Sequence, residues 1–206
     1  MGDKTSIAWT DATWNPVRGC SRVSEGCRNC YAERMAARFC GPGQPYEGLA
    51  RTTKAGPRWT GKVRLVPDHL ADPLQWQRPR RIFVNSMSDL FHESLEDWQI
   101  AAVFGVMAAS PEHTFQVLTK RPERMLEWFS GVNLRKGKCA TVALACAYQA
   151  EGVFKRLHED RDPHQTFSRV PWDQDTSPWP LPNVWIGVSV EDQPTADERI
   201  PLLLQT

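Results

Sequence analysis

Residues 81–119, RIFVNSMSDLFHESLEDWQIAAVFGVMAASPEHTFQVLT, decide the fold. Arg81–Asn85 is a strand-type run after Pro79, the polar stretch SMSDLFHE follows it, and Leu95–Ala108 is a helical pattern that Ser94 is placed to cap. Thr114–Thr119 is the next strand-type run. Apolar β-type runs alternating with helical patterns are the signature of βα units and a parallel sheet.

The same alternation extends outward in both directions. Ile7–Trp14 reads as an extended segment that ends at the turn Asn15-Pro16. Tyr31, Met35 and Phe39 recur every four residues with Ala32 and Ala36 alongside, so YAERMAARF reads as an amphipathic helix, stopped by Gly41-Pro42-Gly43. Lys62–Val66 reads as a second, short strand. Pro122 opens a helix to about Phe129, Val184–Val190 resumes as a strand, and Ala196–Gln205 as a helix. Residues 131–182 break the rhythm and read as an insertion with one helix near Val142–His158. The expectation is one α/β domain over residues 1–206 with about five strands, too few for a closed barrel of about eight βα units or a partial barrel of about six. IPLLLQT stands where the repeat predicts another strand, so the chain is expected to be truncated relative to its full fold and to expose an apolar edge there.

The chain has 206 residues, 41% of them hydrophobic and 24% charged, which makes it globular and excludes a disordered or fibrous protein. No apolar run approaches the roughly 18 residues of a membrane span, and MGDKTSIAWTD lacks the apolar stretch of a secretory signal. A soluble cytoplasmic protein with no membrane partner is expected. Net charge is +1, yet residues 18–81 hold 13 Lys/Arg against five Asp/Glu, either a pointer to an anionic partner or a solvated basic face. Arg51, Lys54, Arg58, Lys62 and Arg64 are candidates for nucleic-acid phosphates, and Trp9 and Trp14 for stacking on a base or for anchoring the core.

Three of the six cysteines fall within eleven residues, GCSRVSEGCRNCY, as a C-x6-C-x2-C arrangement of Cys20, Cys27 and Cys30. Three thiols cannot pair among themselves, so metal ligation explains them better than disulfides. Three thiolates satisfy three irons of a 4Fe–4S cluster and leave the fourth open, whereas a closed zinc site takes four protein ligands. Zinc stays the alternative, although Cys40 as fourth ligand lies ten residues beyond Cys30, and structural thiols are the third reading. The start of the helix after Cys30 would turn its N–H groups and positive dipole end towards an anionic cluster. Cys139 and Cys146 read as core residues of the insertion.

SIAWTDATWNPVRGC with EGCRNCYAERMA, and further along NSMSDLFHE, VLTKRPERM and NVWIGVSVED, resemble an uncharacterised phage-protein family with a three-cysteine motif, itself similar to radical S-adenosyl-L-methionine (radical SAM) enzymes. The resemblance implies an α/β fold of the partial (β/α) barrel type and a 4Fe–4S cluster on Cys20, Cys27 and Cys30. It also implies SAM chelating the open iron, and an electron from the cluster that splits SAM into methionine and a 5′-deoxyadenosyl radical. A reductant protein is the implied partner, and a phage-type origin makes nucleic acid a candidate substrate. The sequence departs from the commonest radical SAM pattern in a first gap of six residues instead of three, in Asn29 before Cys30 where an aromatic is usual, and in lacking Gly-Gly-Glu.

Polar residues at the carboxyl ends of parallel strands point into the site of a barrel. Ser86, Ser88, Asp89 and His92 after the first strand of the opening stretch are therefore candidates for cofactor or substrate contacts, as are Lys120 and Arg121, and Ser189, Glu191 and Asp192. The plainer readings are a turn cap for Asp89, solvated charges for Lys120 and Arg121, and a helix start for Glu191. Function accordingly reads as a radical SAM-like iron–sulfur enzyme, with a zinc-binding nucleic-acid module without catalysis as the alternative and an inactive assembly subunit as the third reading.

Overall fold

A computed structural model describes residues 5–134, 146, 150–153, 155 and 179–206. Along the chain come β1 (Ala12–Trp14), β2 (Val17–Arg18), α1 (Tyr31–Arg38), β3 (Ala50–Thr53), β4 (Gly56–Trp59), β5 (Arg64–Leu65) and β6 (Arg81–Val84). Then follow α2 (Asp97–Ala108), β7 (Thr114–Thr119), α3 (Pro122–Leu134), β8 (Val184–Val188) and α4 (Gln193–Leu203). Four strands form one sheet in the order β1-β6-β7-β8, and each neighbouring pair is parallel. The class is mixed α/β, and the described residues form no closed barrel.

β6, α2 and β7 form where the opening stretch predicts them. The helix starts later than expected, because Glu96 takes the N-cap and its N–H donates to Gln99 Oε1 at 2.9 Å. Ser94 instead gives its N–H to His92 Nδ1 at 3.1 Å. Lys62–Val66 does not join the parallel sheet: only Arg64–Leu65 is extended, and it pairs antiparallel with β2. A parallel partner would need a crossover of a dozen or more residues, usually a helix. The stretch before it folds instead as the β3–β4 hairpin, where Ala50 faces Trp59 and Thr53 faces Gly56. ARTTKAGPRW alternates no apolar residues, so its sequence gave no strand signal.

The main core lies between the sheet and the helices. Ile82, Val84, Phe115 and Val117 meet Ile100, Val103, Phe104 and Met107 of α2, and Trp128 of α3 stacks on Phe104 with centroids 4.7 Å apart. Cys146 is buried in this core with Ala150 and Val153, as expected of it, so part of the 131–182 stretch belongs to the main packing. Cys139 lies outside the described residues. A second, small cluster sits under α1, where Ala32 and Ala36 pack against Tyr46, Leu49, Ala50 and Trp59.

Gly19 carries the chain from β2 into the cysteine loop. Its φ is +93°, a side chain there would stand 2.1 Å from the Lys62 carbonyl oxygen, and the residue bridges Ser88 in parallel. Only glycine meets both conditions. Gly19→Ala is expected to lower unfolding free energy by about 3 kcal/mol, from strain plus a backbone clash. Urea unfolding of the two proteins checks this; equal midpoints would show that the approach is not required.

Candidate functional site

A cavity of about 150 Å³ opens at the carboxyl ends of β6, β7 and β8. Cys20, Cys27 and Cys30 line it from the loop, Ser86, Ser88 and Asp89 from the end of β6, Lys120 and Arg121 from the end of β7, and Ser189 from the end of β8. The candidates named from three separate strand ends and the cysteine loop therefore share one wall. The parallel sheet is the reason, since it brings all its carboxyl ends to one edge.

Asp89 lines this cavity, but every direction of its carboxylate is used by the fold. Oδ1 accepts from the Phe91 N–H at 3.0 Å and the Thr119 hydroxyl at 2.7 Å; Oδ2 accepts from the Lys120 N–H at 3.0 Å and Arg121 Nη1 at 3.2 Å. Arg121 is buried, not solvated. Its Nε donates to Glu93 Oε2 at 2.7 Å, its Nη2 to the Ser21 hydroxyl at 2.8 Å and carbonyl at 3.2 Å, and its Nη1 stands 4.0 Å from Cys20 Sγ. The pair thus fixes the peptide at Cys20–Ser21 against the ends of β6 and β7.

His92 sits behind the same peptide and is 1% exposed. Because Nδ1 accepts from Ser94, Nε2 carries the proton and donates to Ser21 Oγ at 2.9 Å. Ser21 passes its own proton towards Glu93 Oε1 at 3.3 Å. Burial, with the Arg121 charge adding to it, pushes the His92 pKa below its ordinary value, so the ring is neutral at pH 7. It holds the loop and does not line the cavity.

Glu191 closes the loop from the other side. Its Oε1 accepts from Lys120 Nζ and from the Ser24 hydroxyl, both at 2.5 Å, and its Oε2 accepts from Arg199 Nη1 at 2.9 Å. Burial would raise its pKa, but the hydrogen bonds and charges of these partners hold it down to about 2. Glu191 packs so close to Gly26 that a side chain at Gly26 would overlap it. Asp192 caps α4, accepting from the Thr195 N–H at 2.9 Å, and has no part in the cavity.

The sequence reading missed Asn85. It ends β6 at φ +59°, a conformation that Asn tolerates better than most residues, and it lines the cavity. Its Oδ1 accepts from the Val17 N–H at 3.3 Å, while its buried Nδ2 has no hydrogen-bond partner among the described residues. An unmet buried donor costs about 1–3 kcal/mol, and a ligand acceptor in the cavity would remove that cost. The signal was present as an Asn at a strand end. Trp14, a candidate for base stacking, is buried in the core with Nε1 donating to the His69 carbonyl at 2.7 Å, so it is unavailable to a ligand. Trp9 is partly exposed and packs on Phe83 with centroids 4.8 Å apart.

The thiols surround the cavity without converging on one point: among the described residues no three His, Cys, Asp or Glu side chains form a group that could hold a single metal ion. Cys40 does not line the cavity and gives its S–H to the Ala37 carbonyl at 3.2 Å. Burial pushes the Cys20 thiol up to about 12, against the pull of the neighbouring Arg121 charge. Cys20 is therefore a neutral thiol until something displaces its proton.

The chain belongs to a family described as a protein of unknown function (DUF5131), whose model matches residues 4–206. No curated protein and no solved structure matches it. Among the described residues no helix is long and apolar enough to cross a membrane.

Two measurements check this geometry. At pH 8.5 a thiol of pKa near 12 holds far less thiolate than an ordinary one, and allowing for its greater intrinsic nucleophilicity, iodoacetamide should modify Cys20 about 30-fold more slowly in the folded than in the urea-unfolded protein. Equal rates by mass spectrometry would show that the thiol is not held neutral. For His92 the folded pKa lies below the unfolded one, so its contribution to stability is present above pH 6.5 and is lost as pH falls through the folded value. Unfolding free energy should fall between pH 7 and 5 more steeply in the wild type than in His92→Gln; parallel curves would remove His92 from the network.

Proposed function

We propose that the chain is a radical SAM-like iron–sulfur enzyme of partial-barrel type, with nucleic acid as its candidate substrate. Cys20, Cys27 and Cys30 would hold a 4Fe–4S cluster, and the cavity beside them would take SAM. One observation carries the reading: the three cysteines share a cavity with polar residues from the ends of three successive parallel strands.

The donor set fits the group. A closed zinc site takes four protein ligands, whereas a cluster with one open iron takes three thiolates, the number that line this cavity. When bound, such a cluster supplies a single electron at its open iron, the chemistry that cleaves the SAM sulfonium. The protein's own part is positional. Cys30 is the N-cap of α1, and its side chain makes no cap hydrogen bond, so the sulfur is free for ligation while the helix turns its positive end to the site. Arg121 beside Cys20 favours the thiolate that ligation requires, and ligation releases the proton that burial otherwise keeps there. Asn85 Nδ2 offers a donor to the bound cofactor, whereas the Ser86 and Ser88 hydroxyls donate to Asn15 Oδ1 at 3.2 Å and the Val17 carbonyl at 2.9 Å and could only accept from it.

Anaerobic reconstitution with iron and sulfide should give a brown protein with about four irons per chain. Cys27→Ala should abolish the colour and Cys40→Ala should keep it. Reduced, loaded protein mixed with SAM should release 5′-deoxyadenosine. A colourless protein that holds one zinc would overturn the reading in favour of a zinc-binding module without catalysis. An intact cluster that yields no 5′-deoxyadenosine would overturn the SAM part alone.

A further inference from the structure

A second cavity, of about 330 Å³, adjoins the first, and Tyr31, Ser86 and Met87 line both. Met35 and Phe39 continue its wall along α1, and Tyr46, buried under that helix, also lines it. Tyr31, Met35 and Phe39 are not core: Tyr31 is 49% and Phe39 46% exposed, and Met35 lies exposed between them. The Tyr31 hydroxyl donates to the Ser86 carbonyl at 2.5 Å, so the ring is held in place at the junction of the two cavities.

The same helix face is cationic. Arg34 and Arg38 are exposed on it; Arg34 reaches only the Asn29 carbonyl at 3.5 Å and Arg38 only Met35 Sδ at 3.8 Å, with no ion pair to either among the described residues. Glu33, the acid of this helix, is buried and paired with Arg22. Residues 28–64 together hold eight Lys/Arg against two Asp/Glu. Eight residues separate Tyr31 from Phe39, about 12 Å along a helix, and one turn, about 6 Å, separates the two arginines.

We propose that this groove binds a single strand of nucleic acid, bases stacked on Tyr31 and Phe39 and phosphates on Arg34 and Arg38, and brings one nucleotide to the mouth of the cysteine cavity. Aromatic faces beside unpaired arginines are what a single strand requires, because every base offers a π-face and every nucleotide a charge. A base enters a reaction pocket only from a single strand or after leaving its duplex, which favours a single strand over double-stranded DNA. The proposal rests on the cavity's being the reaction site.

Fluorescence anisotropy with a labelled 12-nucleotide single strand, DNA and RNA in turn, tests it on the isolated protein with and without iron. Saturable binding is expected, tighter than to the matching duplex. Arg34→Ala with Arg38→Ala should lower the slope of log affinity against log salt by about 1.4, and Tyr31→Ser or Phe39→Ser should each weaken binding about tenfold. All four side chains are exposed, and unchanged thermal unfolding confirms the fold of each variant. No binding at low salt, equal preference for duplex, or indifference to all four substitutions would overturn the proposal. So would a concentration-dependent dimer lost in Tyr31→Ser, which would assign the face to a second copy. Failure to bind in a protein that holds four irons would leave the cluster reading standing, and binding in a protein that takes up no iron would do the reverse.

Discussion

The buried ion pair between Asp89 and Arg121 is the interaction on which the site depends. Each side chain is less than one-tenth exposed, and stripping water from two charges costs several kcal/mol per ion. The cost is offset because Asp89 also accepts from Phe91, Thr119 and Lys120, and Arg121 also reaches Glu93 and Ser21. Such a pair adds little net stability compared with an apolar replacement of the same size. Its effect is geometric: it ties the ends of β6 and β7, already paired in the sheet, to the peptide beside Cys20.

The cysteine loop is tied by polar contacts throughout. On the α1 side, Arg22 pairs with buried Glu33 and donates to the Arg28 carbonyl at 3.2 Å, while Glu33 accepts from the Trp59 N–H at 2.8 Å. On the β8 side, Glu191 holds Ser24, Lys120 and Arg199. The loop between them buries no residue in its 3-10 turn, Glu25–Cys27. Hydrophobic burial therefore secures the sheet and helices, and directed hydrogen bonds secure the cysteine loop, which makes the loop the lower-stability unit of the two.

Much of this was legible in the sequence, for a physical reason. Parallel strands with polar carboxyl ends must present those ends together, so Ser86, Ser88, Lys120, Arg121 and Ser189 could be assigned to one site without knowing their partners. The helical period of YAERMAARF located α1 but did not show which of its apolar residues are buried. Tyr31, Met35 and Phe39 recur along it with Ala32 and Ala36 alongside, and of these α1 buries the two alanines, together with Glu33. Small residues let the helix lie close on the β3–β4 hairpin, and the carboxylate of Glu33 is acceptable there only because Arg22 and the Trp59 N–H satisfy it. Neither partner is visible from the period of the helix. Arg121 was ambiguous for the same reason, since its acid lies 32 residues away on another strand end.

The burial of α1 through its alanines sets how the two cores relate to the site. The small cluster under α1 packs against Cys20, Cys30 and Met87, and the main core ends at Ile82, Val84 and Val117 beneath the strand ends. The cavity lies where these two apolar bodies meet, bridged by Arg121 at one wall and by Tyr31 at the other. Had α1 buried its aromatic stripe, the helix would have stood off the hairpin by the width of those rings, and Cys30 at its N-terminus would have moved with it. Packing on alanines instead sets Cys30 close to the strand ends and leaves the rings on the surface, so one choice of face both positions that thiol and creates the groove beside it.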